Sequence, residues 1–118
     1  MFLSKFNMKL RYSTRKLEKS VESFSVIKKN YGEWAKKVVL RLEQLSQAPN
    51  LAAMRTVPSA HCHELKADKI SELAVDISPN HRILFQPAHN PIPLKDDGGL
   101  DWREVTCIII TAIGEDYH

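Results

Sequence analysis

Six side chains stand out for the chemistry they would support together: His63, Lys66, Arg82, Asp116, Tyr117 and His118. The histidines, Tyr117 and Asp116 are proton carriers, and Lys66 and Arg82 bring fixed positive charge. Metal-free cleavage of RNA asks for that combination. A base takes the proton of the ribose 2′-OH, an acid protonates the leaving 5′-oxygen, and cations stabilise the pentavalent phosphorane. The set is useful only if the strands carrying it are neighbours, so that the groups meet at one edge of a sheet. Each member also has a plainer reading: Arg82 as a surface strand residue, Lys66 as a solvated charge, His118 as a frayed terminus.

Other chemistries lack residues. His61, Cys62 and His63 resemble metal ligands, and in a strand the two histidines would share a face with Cys62 on the other. A structural zinc site needs four convergent ligands, however, and no second Cys/His pair stands at motif spacing. The expectation is therefore no metal and no cofactor, with His61 a polar strand end. Gly98-Gly99 has no Lys-Ser/Thr after it, and no G-x-S-x-G occurs, so phosphate-loop and serine-hydrolase readings fail.

Positioning these groups requires a particular order of elements. Met8-Lys9-Leu10-Arg11-Tyr12 alternates apolar and basic, as a half-buried strand does. Ser13 and Thr14 can cap a helix whose apolar stripe is Leu17, Val21, Phe24 and Ile27. Asn30-Tyr31-Gly32 ends it. A second helix is expected over Glu33–Ser46, with Ala35, Val38, Leu42 and Leu45 inward and Pro49 as its stop. The short connection makes the pair an antiparallel hairpin, with Trp34 near the joint as a packing anchor. Strand-like pieces follow at His61–Leu65, Glu72–Ile77, His81–Gln86 and Glu104–Ile113, with a turn at Ser78-Pro79-Asn80 between the second and third. The last, rich in β-formers, reads as a central strand buried on both faces. The polar stretch from Pro87 to Trp102 reads as a variable surface loop, with a partner-contacting loop as the functional alternative. The expected class is α+β: an N-terminal strand and helical hairpin packed on a mostly antiparallel, twisted sheet.

Length and composition agree with this. The chain has 118 residues, enough for one domain over 1–118, with 1–7 as an extra N-terminal segment and 87–103 as an inserted loop. No apolar run approaches a membrane span, and the first residues are too polar for a signal peptide. The widely spaced Cys62 and Cys107 read as reduced thiols of a cytoplasmic protein. Charge is polarised: residues 1–60 hold 12 Lys+Arg and 4 Asp+Glu (+8), and residues 61–118 hold 5 and 10 (−5), giving the net +3. A basic half suits a polyanionic partner, and equally suits solvated helix faces.

Three features together resemble the HigB-type toxins of the RelE/ParE superfamily, also called plasmid-maintenance killer proteins. They are the element order, the segment Cys62-His63-Glu64-Leu65-Lys66-Ala67-Asp68-Lys69 leading through Leu73–Ser78 into Asn80-His81-Arg82-Ile83-Leu84-Phe85, and the ending Glu115-Asp116-Tyr117-His118. The resemblance covers about Met8 to His118. It implies a RelE-like fold and a ribosome-dependent, metal-independent mRNA endonuclease acting by 2′-OH attack, leaving a cyclic phosphate or 3′-phosphate. It implies as partners a HigA-like helix-turn-helix antitoxin, the ribosome and mRNA, with operator DNA reached only through the antitoxin. His63, Lys66, Arg82, Asp116, Tyr117 and His118 fall on the family's functional positions. Arg82 and Lys66 would hold phosphate, His118 and His63 would transfer protons, Asp116 would act as base or orienter, and Tyr117 would stack or donate its hydroxyl. Lys69, Arg11, Lys36 and Lys37 are the further expected RNA contacts. Two departures stand out. Ala67-Asp68-Lys69 replaces a Gly-Asp-Arg-like turn, with Leu73 near an expected Trp, and the Pro87–Trp102 loop is longer than in compact members.

Two other functions stay open at this level: a non-catalytic module of the same fold that binds an antitoxin-like protein or RNA, and a gyrase-directed toxin. The cleavage reading makes a direct prediction. Deleting Asp116–His118 should leave a folded protein, judged by circular dichroism, that no longer cuts RNA. Loss of folding would make that terminus structural.

Overall fold

The structure, a computed structural model, describes residues 7–65 and 72–116. Five strands, β1 (Lys9–Tyr12), β2 (His63–Glu64), β3 (Leu73–Ser78), β4 (His81–Pro87) and β5 (Cys107–Asp116), form one sheet in the order β1-β5-β4-β3-β2. Only β1 and β5 run parallel; the other neighbours are antiparallel. A parallel pair needs a crossover, and the helices α1 (Arg15–Lys19), α2 (Phe24–Tyr31) and α3 (Ala35–Gln47) lie within it. The α+β class expected from the sequence is the one observed.

Alternation along the strands separates two jobs. Leu73, Val75 and Ile77 of β3, Ile83 and Phe85 of β4, and Ile108 and Ile110 of β5 are buried. They form one core with Ile27, Ala35, Val38 and Leu45 of the helices, Leu51 and Met54 of the 3-10 turn Leu51–Thr56, and Trp102. Of the intervening residues, which face the other side, Ala74 is also buried, whereas Asp76, Arg82, Leu84 and Gln86 are less so.

The single long first helix is corrected. Ser23 is extended (φ −153°) and its hydroxyl accepts from Val26 N–H, which starts α2 afresh. Ser20 ends α1 by donating to the Leu17 carbonyl, and its Oγ also lies 2.8 Å from the Tyr31 hydroxyl. Local serine hydrogen bonds thus override the apolar period. Leu17, Val21 and Ile27 still pack on the core, but Phe24 is 49% exposed. Gly32, at φ +55°, closes α2 as expected.

The strand limits also shift. β2 is shorter than His61–Leu65 because His61 has φ +47°, outside strand geometry. β5 starts at Cys107, since Trp102–Glu104 forms a 3-10 turn. Its centre is buried on one face rather than two, with Ile109 and Thr111 only half-buried. The loop after Pro87 is more than surface. Leu100 and Trp102 insert into the core, and His89 Nε2 accepts from the backbone N–H groups of Thr106 and Cys107. Among the described residues no helix is long and apolar enough to cross a membrane.

Cys62 packs beside the core, and burial pushes its thiol up to about 12, more than the charge of Arg55 lowers it. The fold thus favours the neutral thiol. The stability this contributes is complete below the ordinary thiol range and is lost as pH rises toward about 12. In a Cys107→Ser background, Cys62 should react with iodoacetamide at pH 8 at least about a hundredfold more slowly when folded than in urea. Equal rates would contradict the burial.

Candidate functional site

The described site residues gather on the less buried sheet face. His63 of β2 pairs with Ala74 of β3, and Asp76 of β3 pairs with Arg82 of β4. Cross-strand partners share a face, and positions two apart on a strand share it too. His63, Asp76 and Arg82 therefore lie on one surface, across three adjacent strands. β5 brings the chain's last described residues to the same end of the sheet: Glu115 pairs with Arg82 and Asp116 with His81.

Asp76 is the hub. Its Oδ2 is 3.0 Å from His61 Nδ1, and its Oδ1 is 3.5 Å from Arg82 Nε. Each oxygen thus has its own cationic or imidazole neighbour. The His61 and His63 rings stack at 4.1 Å between centroids and 16° between planes. His63 Nδ1 lies 2.7 Å from the carbonyl oxygen of His61. A carbonyl only accepts, so Nδ1 carries the hydrogen, and in the neutral ring Nε2 keeps a lone pair. The fold sets the tautomer of the one described histidine that the sequence assigned to proton transfer.

Arg41 holds this arrangement from behind. It is 2% exposed, and its guanidinium donates to the Asp76 carbonyl (2.6 Å), the Ser59 carbonyl (2.8 Å) and Gln44 Oε1 (3.0 Å). Burial pulls its pKa down from the ordinary arginine value, and the Asp76 charge offsets part of that. One buried side chain of α3 thereby fixes the backbone just before His61 and the backbone at Asp76. His61 itself donates its N–H to the Pro58 carbonyl and sits in the left-handed region. That is a strained place for a β-substituted residue, kept where surrounding contacts determine it.

A third histidine lies at the same end of the sheet. His81 packs tilted against Trp34, with ring centroids 3.8 Å apart and planes at 36°, and its Nδ1 lies 2.8 Å from Ser78 Oγ. Trp34 is a packing anchor, as its place at the helix joint suggested, and its partner is a sheet residue. Among the expected RNA contacts, Arg11 is exposed on β1, and Lys36 and Lys37 are exposed in the first turn of α3, just after Trp34. Lys66, Lys69, Tyr117 and His118 lie outside the described residues, as does the Ala67-Asp68-Lys69 turn. Asp116 is placed by its backbone at the end of β5.

Sequence reasoning missed Asp76 and Arg41, and weighed His61 only as a metal ligand or a polar strand end. The reading of His61 as a polar strand end is corrected: left-handed backbone turns its ring onto His63 and toward Asp76. A signal for Asp76 existed, since it is the lone charge in Leu73-Ala74-Val75-Asp76-Ile77. Nothing in the sequence pairs it with His61, fifteen positions earlier.

Replacing Arg41 by Met keeps the bulk and removes all three hydrogen bonds, including those to the Ser59 and Asp76 carbonyls. Urea unfolding should show a loss of about 2–4 kcal/mol. An unchanged midpoint would mean water replaces the guanidinium without cost. Comparison of the chain with protein-family models, with curated proteins and with solved structures finds no match, so the functional reading rests on this geometry and on the residues themselves.

Proposed function

We propose that the protein is the toxin of a toxin–antitoxin pair, a metal-independent endoribonuclease acting on mRNA at the ribosome. One observation carries the reading. His63, with Nε2 as its lone-pair nitrogen, and Arg82 share a sheet face on either side of Asp76, at the end to which β5 leads the chain. His63 Nε2 would take the proton of the ribose 2′-OH. The 2′-oxygen then attacks the adjacent phosphorus, the 5′-oxygen leaves with a proton from an acid, and a 2′,3′-cyclic phosphate remains. Arg82 would meet the phosphorane oxygens, oriented by the 3.5 Å ion pair with Asp76. His118 is the acid this reading assigns, with Lys66 a second cation and Tyr117 a stacking surface. The internal nucleophile supplied by RNA explains why positioned protons and charge suffice. A helix-turn-helix antitoxin is the partner that would hold such an activity in check.

A second reading, a non-catalytic module of the same fold, draws on the same ion pair, because Asp76 already neutralises part of the Arg82 charge. Cleavage mapping on translated mRNA separates the two. Wild type should cut and leave cyclic or 3′-phosphate ends. His63→Ala and Arg82→Ala should each slow cutting by about 10²-fold or more while keeping the circular dichroism of wild type. Intact mRNA on active ribosomes with wild type, together with RNA or protein binding that survives Arg82→Ala, would favour the binding module and sink the nuclease.

A further inference from the structure

We propose that His61, His63 and Asp76 form a binding site for a divalent transition metal of the zinc class. One ligand atom from each of the three residues lies within 4.8 Å of the other two. The closest pair, His61 Nδ1 and Asp76 Oδ2, is 3.0 Å apart. Zinc bonds of about 2.0–2.2 Å in tetrahedral geometry separate ligands by about 3.4 Å, so the His61–Asp76 edge is near its bound length, and the His63 nitrogen moves in from within 4.8 Å. The metal replaces the proton that His61 and Asp76 now share. His63 offers Nε2, because its Nδ1 is committed to the His61 carbonyl, the arrangement in which a second hydrogen bond fixes a ligating imidazole. The stacked rings must splay to point both nitrogens at one centre. Asp76 ligates with Oδ2 alone and keeps Oδ1 toward Arg82.

Chemistry narrows the ion. Two imidazoles and one carboxylate suit Zn²⁺, Co²⁺ or Ni²⁺, whereas Mg²⁺ and Ca²⁺ prefer an all-oxygen shell. Cys62, between the two histidines in sequence, packs against the core and is not among the clustered ligand atoms. Three protein ligands leave a position for water or a phosphate oxygen. The strained backbone at His61 acquires a purpose, since an extended residue there would carry the ring away from Asp76.

The consequence for cleavage rests on the function proposed above. The lone pair of His63 Nε2 cannot bind a metal and take a proton at once, so metal occupancy switches the base off. The test starts with binding. Chelator-treated full-length protein is titrated with Zn²⁺ by calorimetry and with Co²⁺ by visible absorption. One saturable equivalent is expected. His61→Gly, which tolerates the left-handed backbone, and Asp76→Asn should each weaken it at least about tenfold, with folding checked by circular dichroism, while Cys62→Ser leaves it intact. Absence of saturable binding, or equal binding by folded His61→Gly, overturns the site whatever the RNA assay shows. Zn²⁺ should also suppress mRNA cutting by wild type, and a chelator should restore it. If Zn²⁺ binds as described and cutting continues, the metal site stands and His63 is not the base.

Discussion

The buried guanidinium of Arg41 is the constraint on which the candidate site depends. Placing a charge in a core costs several kcal/mol unless its donors are satisfied. Here two carbonyls and a glutamine oxygen satisfy them. The carbonyls belong to the two segments that must be brought together, Ser59 ahead of His61 and Asp76 in β3. An apolar side chain of equal volume would fill the space, yet it would not fix where either backbone lies. The charge contributes register between a helix and two otherwise separate pieces of chain.

From that anchor the rest follows through strand alternation. Val75, Ile77, Ile83 and Phe85 are drawn inward. Asp76 and Arg82 are then obliged to emerge on the opposite face, and β2, pairing His63 with Ala74, delivers its imidazole to that face as well. The helices cover the core side, which leaves the chemical groups on the side where a long polymer could lie. Trp34 against His81 ties the start of α3 to the same end of the sheet. Lys36 and Lys37 are thus held near the end where β5 finishes.

What was legible in the sequence is what local periodicity controls. The β3–β4 hairpin was visible from its alternating apolar residues and the Ser78-Pro79-Asn80 turn, and the stripe of α3 from its spacing. Arg82 and His63 were visible as residue types, and their adjacency followed once the strands were ordered. The break between α1 and α2 was hidden, because serine side chains that end a helix look, in a stripe, like ordinary polar positions. His61 was misread because left-handed backbone leaves no mark on a histidine. Asp76 was passed over because its meaning depends on a partner fifteen residues away. The inward turn of the Pro87–Trp102 loop was equally non-local: Trp102 is placed by Glu64, which accepts from its indole N–H at 2.8 Å, and by Arg55 stacked over the ring.

The same non-local contacts make the two proposed uses of His63 incompatible. Its Nδ1 is occupied by the His61 carbonyl, so everything it does chemically passes through Nε2. With His61 hydrogen-bonded to Asp76, that nitrogen is free to accept a proton. With a metal between His61 and Asp76, it becomes the third ligand. Arg82 does not change sides between these states, since Asp76 offers it a different oxygen from the one facing His61. A carboxylate divided in this way would, in the proposed mechanism, orient the phosphate-binding cation while also deciding whether the base beside it is available. The choice between the two states is then set by competition for one lone pair, not by a movement of the fold.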